Sequence, residues 1–237
     1  MALAVITGAA GGIGSAITRS FGAAGYDLAL LDRVPVDHAG AQAMALDLSD
    51  PDAVCAAFER IAIRWDRIDA LVNVAGINHR APVRETAVAD WDRMMDVNVG
   101  HMFLTAKHAV PRMGQGSAIV NMASISGHVA TPDYPAYVTT KAAVESFTFA
   151  LAQEVGELGI RVNAVAPGWV NAGFTDAALA EAKNPDDIHA AAREAHLLGR
   201  MAEPEEVADA ALWLASSAAS FVTGQTLFVD GGLMRKH

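Results

Sequence analysis

With 237 residues, 52% of them hydrophobic and 19% charged, the chain has apolar material for one large core and falls in the size range of a single α/β domain. Its net charge of −10 argues against a nucleic-acid-binding surface, which needs clustered lysine and arginine to replace the counterions of phosphates. No segment reaches the roughly 18 uninterrupted apolar residues of a membrane span, and the apolar start Met1–Gly8 has no basic leader. A cytoplasmic location is therefore expected. Cys55, the single cysteine, cannot close an internal disulfide and is expected to be a buried thiol on a helix.

In chain order, short apolar runs at Leu3–Thr7, Leu28–Leu31, Ala43–Leu46, Ala70–Val74, Ala118–Met122, Val162–Ala166 and Thr226–Val229 are predicted as strands. Helices are predicted over Ser15–Ala24, Pro51–Arg64, Asp90–Met113, Ala136–Glu157 and Glu205–Ala215. Strands that are apolar throughout and alternate with helices are the pattern of a parallel sheet covered on both faces, so a doubly wound, Rossmann-type α/β fold is expected. The stretch Arg33–Gln42 contains Pro35 and Gly40 and leaves little room for a crossover helix, so an irregular connection is expected there. Gly173–Leu198 breaks the alternation with small and charged residues and is expected to form a lid over a substrate, with Phe174, Leu179 and Leu197 facing inward.

The first strand runs into Thr7-Gly-Ala-Ala-Gly-Gly-Ile-Gly14 and then a helix start. Glycines at Gly8, Gly12 and Gly14 let the backbone turn sharply and approach a pyrophosphate, whose charge meets the helix N-terminus. A tight strand-to-helix turn with no ligand is the alternative. Asp32 ends the second strand, where a carboxylate accepts both ribose hydroxyls of an adenosine and repels a 2′-phosphate, so NAD is expected as cofactor. Arg33 beside it keeps NADP open, since an arginine there could take that phosphate. Asp47-Leu48 and Asn73–Gly76 likewise stand at the carboxyl ends of strands, where ligands bind in open α/β sheets.

Tyr137 and Lys141 are four residues apart on one helix face, where a cation is expected to lower the pKa of the phenol. Ser124, in Asn121-Met-Ala-Ser-Ile-Ser-Gly127, follows an apolar strand, and Asn98 lies upstream in Asp96-Val-Asn-Val-Gly100. Singly, Ser124 could cap a turn, Asn98 could satisfy helix backbone and Lys141 could be a solvated side chain.

With these residues in this order, together with Pro167-Gly168 and the tail Thr223–Gly232, nearly the whole chain resembles the short-chain dehydrogenase/reductase family. The resemblance implies that Tyr137 exchanges a proton with the substrate oxygen, Ser124 hydrogen-bonds the same oxygen, Lys141 binds the nicotinamide ribose, and Asn98 anchors a relay water. It implies a cofactor site formed by Gly8, Gly12, Ile13, Gly14, Asp32, Arg33, Asp47, Leu48, Asn73, Ala75, Gly76, Pro167, Gly168 and Val170 with Tyr137 and Lys141. The chain departs from the family pattern at Val74 and at Ala172, where a threonine is often found, leaving Asn171, Thr175 or the Val170 backbone to meet the nicotinamide carboxamide. His79, His101 and His128 match no motif and show no metal-ligand spacing. His101 and His79 are expected to be surface or packing residues, while His128 and Tyr134 could line a pocket. The expected activity is hydride transfer to or from a small polar secondary alcohol, diol or sugar, in a homotetramer. A 3-oxoacyl-thioester reductase and a non-catalytic dinucleotide-binding regulator are the alternatives.

Overall fold

The computed structural model describes residues 1–173 and 184–236. Seven parallel strands form one sheet: β1 Leu3–Thr7, β2 Asp27–Asp32, β3 Gln42–Ala45, β4 Ala70–Asn73, β5 Ala118–Met122, β6 Arg161–Pro167 and β7 Thr226–Val229, in the order β3-β2-β1-β4-β5-β6-β7. The chain winds outward from β1 in one direction to β3, then returns to start the other half at β4. β1 therefore pairs with both β2 and β4, and the connections leave this junction in opposite directions. That reversal opens a crevice at the carboxyl ends of β1 and β4.

The apolar runs form strands because helices cover both faces of the sheet. Every residue of β1, β4, β5 and β6 is buried, with no hydrophobic alternation to mark a wet side. One core cluster joins Ile6, Leu30, Val72 and Val120 to α1 (Gly12–Ala23) and to the helix Pro204–Ala215, and a second joins Val5, Leu31, Leu71 and Ile119 to α2 (Pro51–Arg64) and the central helices. Residues 33–41 contain no helix, as the sequence implied.

Helix α2 begins and ends as predicted because its signals are local: Asp50 accepts hydrogen bonds from the backbone N–H groups of Asp52 and Ala53, and Pro51 starts the first turn. The predicted helix Asp90–Met113 is instead divided into α3 (Val88–Met95), a π-helical turn at Asp96–Gly100, α4 (His101–Ala109) and a 3₁₀ turn at Val110–Arg112. Periodicity cannot reveal this widened turn, since apolar residues continue through it; the turn carries Asn98, and π-turns gather at functional sites. The chain continues through α5 (Pro135–Val155), α6 (Pro185–Ala195) and α7 (Pro204–Ala215). Cys55 lies in α2 but is only partly buried, with Sγ 3.9 Å from the Glu59 carboxylate. Of the expected lid, residues 174–183, including Phe174, Thr175 and Leu179, fall outside the described residues. Leu197, expected to face inward, is 59% exposed because it rests against Gly232 at the surface.

Arg161 joins the sheet to α7. Its guanidinium donates to the carbonyls of Leu214 at 2.6 Å, Ala215 at 3.2 Å and Ser216 at 3.0 Å, satisfying acceptors that the helix end leaves open. Arg161→Met removes these donors and is expected to destabilise the fold by about 2 kcal/mol, read as a lower urea midpoint; an unchanged midpoint would show the cap to be dispensable.

Candidate active site

The crevice at the β1–β4 junction is a cleft of about 500 Å³. Its floor is the glycine loop. Gly8 has φ of +66°, and a Cβ there would stand 2.6 Å from the Ala75 backbone nitrogen. A Cβ on Gly14 would stand 2.0 Å from the Gly8 carbonyl oxygen, so α1 can start against the loop only with glycine at that position. Gly11 is the N-cap of α1 and has no side chain to occupy the first-turn N–H groups, and that turn contains no acidic residue. These donors suit the pyrophosphate of a dinucleotide.

Asp32 stands at one end of the cleft. One carboxylate oxygen accepts from the Ala10 N–H at 2.9 Å and the other from the Val34 N–H at 3.1 Å. Each oxygen retains an acceptor site, enough for the two hydroxyls of a ribose. Arg33, exposed, lies on the same rim. Asp47 and Leu48 also line this end, but the Asp47 carboxylate is already engaged by the Ser49 hydroxyl at 2.6 Å, the Ser49 N–H at 2.9 Å and Arg93 at 3.0 Å. Those hydrogen bonds, from Ser49 first, hold its pKa down at about 2.

Between the two ends, one hydroxyl organises the backbone. Thr7 Oγ1 accepts from the N–H groups of Val74 at 3.0 Å and Ala75 at 3.2 Å, and lies 3.4 Å from His101 Nε2. His101 is fully buried, and its Nδ1 donates to the Val97 carbonyl. This network assigns the Nδ1–H tautomer, so Nε2 accepts the Thr7 proton. Asn98 repeats the pattern one step on: its Oδ1 accepts from the Ile77 N–H at 2.7 Å, while Nδ2 donates to the Ile77 carbonyl at 2.9 Å and to Thr140 Oγ1 at 3.1 Å.

Thr140 stands on α5, which carries Tyr137 and Lys141 to the opposite wall of the cleft. Lys141 is almost wholly buried. Its ammonium donates to the Met122 carbonyl at the end of β5, at 2.8 Å, and lies 5.6 Å from the centre of the Tyr137 ring. Burial draws its pKa down to about 8, so it remains charged at neutral pH. Tyr137 hydrogen-bonds Ser124, whose hydroxyl also accepts from the Ser126 N–H at 3.1 Å. The expectation that Lys141 lowers the phenol's pKa is corrected among the protein groups alone. Burial raises it strongly, Tyr134 raises it further, and the Ser124 hydrogen bond opposes them. The phenol is therefore neutral until another positive charge arrives.

The cleft walls thus bring together Gly8, Gly12, Ile13, Gly14, Asp32, Arg33, Asp47, Leu48, Ala75, Gly76, Ser124, Tyr137, Lys141, Pro167, Gly168 and Val170, with Asn98 directly behind Gly76. Asn73 is placed elsewhere: its amide bonds Asn121 and Thr105 in the interior, a polar ladder that continues to Thr148 on α5. Asn171 points to Glu203 rather than into the cleft, which leaves Ala172 and the Val170 segment as that wall. His128 pairs with Glu145 at 2.7 Å, and Tyr134 packs against Tyr137 with ring centres 5.0 Å apart and planes tilted by 45°; neither lines the cleft. Sequence reasoning missed Arg93, Thr140 and His196. His196 is buried, its Nδ1 donates to the Ala192 carbonyl at 2.8 Å, and its Nε2 accepts from the Trp169 N–H at 3.4 Å behind the Pro167–Gly168 turn. Their roles depend on contacts between distant segments and leave no local signature.

The Thr7–His101 contact has a pH signature. Burial, the largest cause, draws the His101 pKa from 6.5 to about 4, with Lys141 adding to the fall and the Val97 hydrogen bond opposing it. The unfolded chain therefore binds a proton that the folded chain refuses. Stability is full above about pH 6.5 and declines as pH falls toward about 4, by up to about 3 kcal/mol from this group. His101→Gln is expected to flatten the urea-midpoint profile over that window; an identical slope in the variant would exclude His101 as its source.

A family model described as enoyl-(acyl carrier protein) reductase matches residues 8–234. A cis-4-hydroxycyclohexanecarboxylate dehydrogenase of Sinomonas cyclohexanicum is 39% identical, with 97% of this chain and 95% of the relative covered. A 3-oxoacyl-[acyl-carrier-protein] reductase of Thermotoga maritima is 35% identical over 97% of this chain and 96% of its own length. The solved structure of Thermoplasma acidophilum aldohexose dehydrogenase superposes with a TM-score of 0.93 at 33% identity, covering 100% of this chain and 95% of that one. The chain belongs to the short-chain dehydrogenase/reductase family of oxidoreductases.

Proposed function

We propose that the protein is an NAD-dependent dehydrogenase of a small polar secondary alcohol. The observation that carries this reading is one cleft with the uncapped α1 N-terminus and the Asp32 acceptors at one end, and the Ser124–Tyr137 pair above the buried Lys141 ammonium at the other. In this reading Asp32 receives the adenosine ribose, the glycine loop and first-turn N–H groups receive the pyrophosphate, and Lys141 faces the nicotinamide ribose. The bound cofactor supplies the hydride acceptor and a positive charge.

The remaining chemistry belongs to the protein. A secondary alcohol that loses a hydride must also lose its hydroxyl proton, and the Tyr137 oxygen takes it as the phenolate, having released its own proton to solvent under the positive charge that a bound cofactor would bring. Ser124 donates to the substrate oxygen and holds it in line with the phenol. Lys141, which donates to the Met122 carbonyl, has further N–H groups to offer a ribose hydroxyl. In the reverse direction the neutral phenol, favoured by burial, is the proton donor. The Asn98 amide, occupied by Ile77 and Thr140, fixes the wall behind Gly76 and orders the backbone where a relay water would sit.

A second reading, a 3-oxoacyl-thioester reductase, has the Thermotoga maritima relative in its favour. Asp32 argues against it, because a reductase in biosynthesis commonly draws on NADPH and a 2′-phosphate would meet this carboxylate.

Large apolar side chains are exposed on α4 (Phe103, 54%), α5 (Phe149, 60%) and around α7 (Trp213, 41%; Phe221, 103%). These patches favour a homotetramer built through two different faces. Static light scattering is expected to give four times the chain mass at micromolar concentration; a monomer would contradict the assembly.

Steady-state reduction of NAD and NADP across polyols, sugars, hydroxy acids and cyclic diols tests the function. NAD is expected to be favoured in kcat/KM by at least about tenfold, the cost of roughly 1.4 kcal/mol for a phosphate against a carboxylate. Asp32→Ala also removes the acceptor of the Ala10 N–H, so it should depress both cofactors while narrowing their ratio. Equal use of NAD and NADP by the native protein would refute the cofactor assignment, and absence of turnover across the panel would refute the dehydrogenase.

A further inference from the structure

Beside Tyr137, across the Tyr134 ring and just outside the cleft lining, the segment after β4 carries a polar group that the proposed proton transfer does not use. The Arg80 guanidinium lies 5.3 Å from the centre of the Tyr134 ring, and that ring lies 5.0 Å from the ring of Tyr137. Arg80 is exposed and forms no salt bridge among the described residues. The cations that line the cleft itself are committed or distant: Arg93 is held by Asp47 and Ser49, Lys141 is buried on the Met122 carbonyl, and Arg33 stands at the Asp32 end. Beside Arg80, Asn78 hydrogen-bonds the Tyr134 phenol, while its own Oδ1 is buried without a hydrogen-bond partner.

These features call for a ligand of particular chemistry. A planar guanidinium fixed by stacking on an aromatic face retains its five donors in a fork that matches a carboxylate. A chain of net charge −10 does not attract an anion by its overall field, so an anionic substrate requires a local cation of this kind. The buried Asn78 oxygen is a cost unless something donates to it, and a substrate hydroxyl would do so.

Resting on the reading of Tyr137 as the proton-transfer group, we propose that the substrate is a polyhydroxy or ring hydroxy acid whose carboxylate is bound by Arg80 while a second hydroxyl donates to Asn78. Arg80 is then the specificity-determining residue, reaching the end of the substrate remote from the reacting carbinol. Tyr134 is the platform that sets the distance between the two ends.

The test compares acids with their own primary amides, which keep the skeleton and the carbinol but lose the charge: four- to six-carbon aldonates against aldonamides, and ring hydroxy acids against their amides, each with saturating cofactor. The native protein is expected to favour acid over amide at least tenfold in kcat/KM, through KM. Arg80→Gln should bring that ratio to near one, and Arg80→Lys should keep part of it. A ratio near one in the native protein, or a ratio that survives in Arg80→Gln, would overturn the proposal while leaving the dehydrogenase intact. No turnover of either form of any pair would remove the dehydrogenase reading and this proposal with it. Tyr134→Phe provides a second check: it keeps the stacking face, so the acid preference should persist even if the hydrogen bond to Asn78 is lost.

Discussion

The site depends on the Thr7 hydroxyl. β1 and β4 are neighbours in the sheet, yet the chain reaches them in opposite directions of winding, so the backbone beyond their ends has no ladder to hold it. Thr7 Oγ1 takes that place by accepting from Val74 and Ala75 and giving its proton to His101. From there the order passes through contacts already satisfied in pairs: Ile77 with Asn98, Asn98 with Thr140, and α5 with the end of β5 through Lys141 and Met122. Tyr137 is positioned by the last members of this series. Thr7, His101, Asn98 and Thr140 are wholly buried, so disturbance of one of them leaves another unpaired at a cost of about 1–3 kcal/mol.

Electrostatics follow from the same burial. The neutral state of His101 is what lets Nε2 accept; a protonated ring would direct a second donor at a hydroxyl already receiving two N–H groups. Lys141 keeps its charge but pays for burial with a lowered pKa, and Tyr137 is held neutral. The wall that carries Tyr137 therefore favours proton donation, and in the proposed function a nicotinamide cation is the natural source of the charge that would reverse it.

Much of this was legible in the sequence, because some signals are local. Asp50 and Pro51 bound α2, the wholly apolar runs mark strands covered on both faces, and Thr7–Gly14, Ser124, Tyr137 and Lys141 have spacings that only their order in one fold explains. Boundaries slipped by a residue or so where no cap or turn residue stands, as at β3. The π-turn at Asp96–Gly100 could not be read, because it alters hydrogen-bond register without altering the apolar pattern. Nor could the destination of a side chain. Asn73 turns inward to Asn121, Asn171 outward to Glu203, and His101 from an expected packing or surface residue into the acceptor that completes the Thr7 hub. Such choices are made by partners tens of residues away.

Tyr137 is the residue on which the functional reading turns, and its removal separates chemistry from binding. NAD affinity measured by equilibrium fluorescence, alongside single-turnover oxidation of the best alcohol, should show Tyr137→Phe binding NAD much as the native protein does while turnover falls by about a hundredfold or more. Native-like turnover in Tyr137→Phe would contradict the assignment of the proton transfer to this phenol.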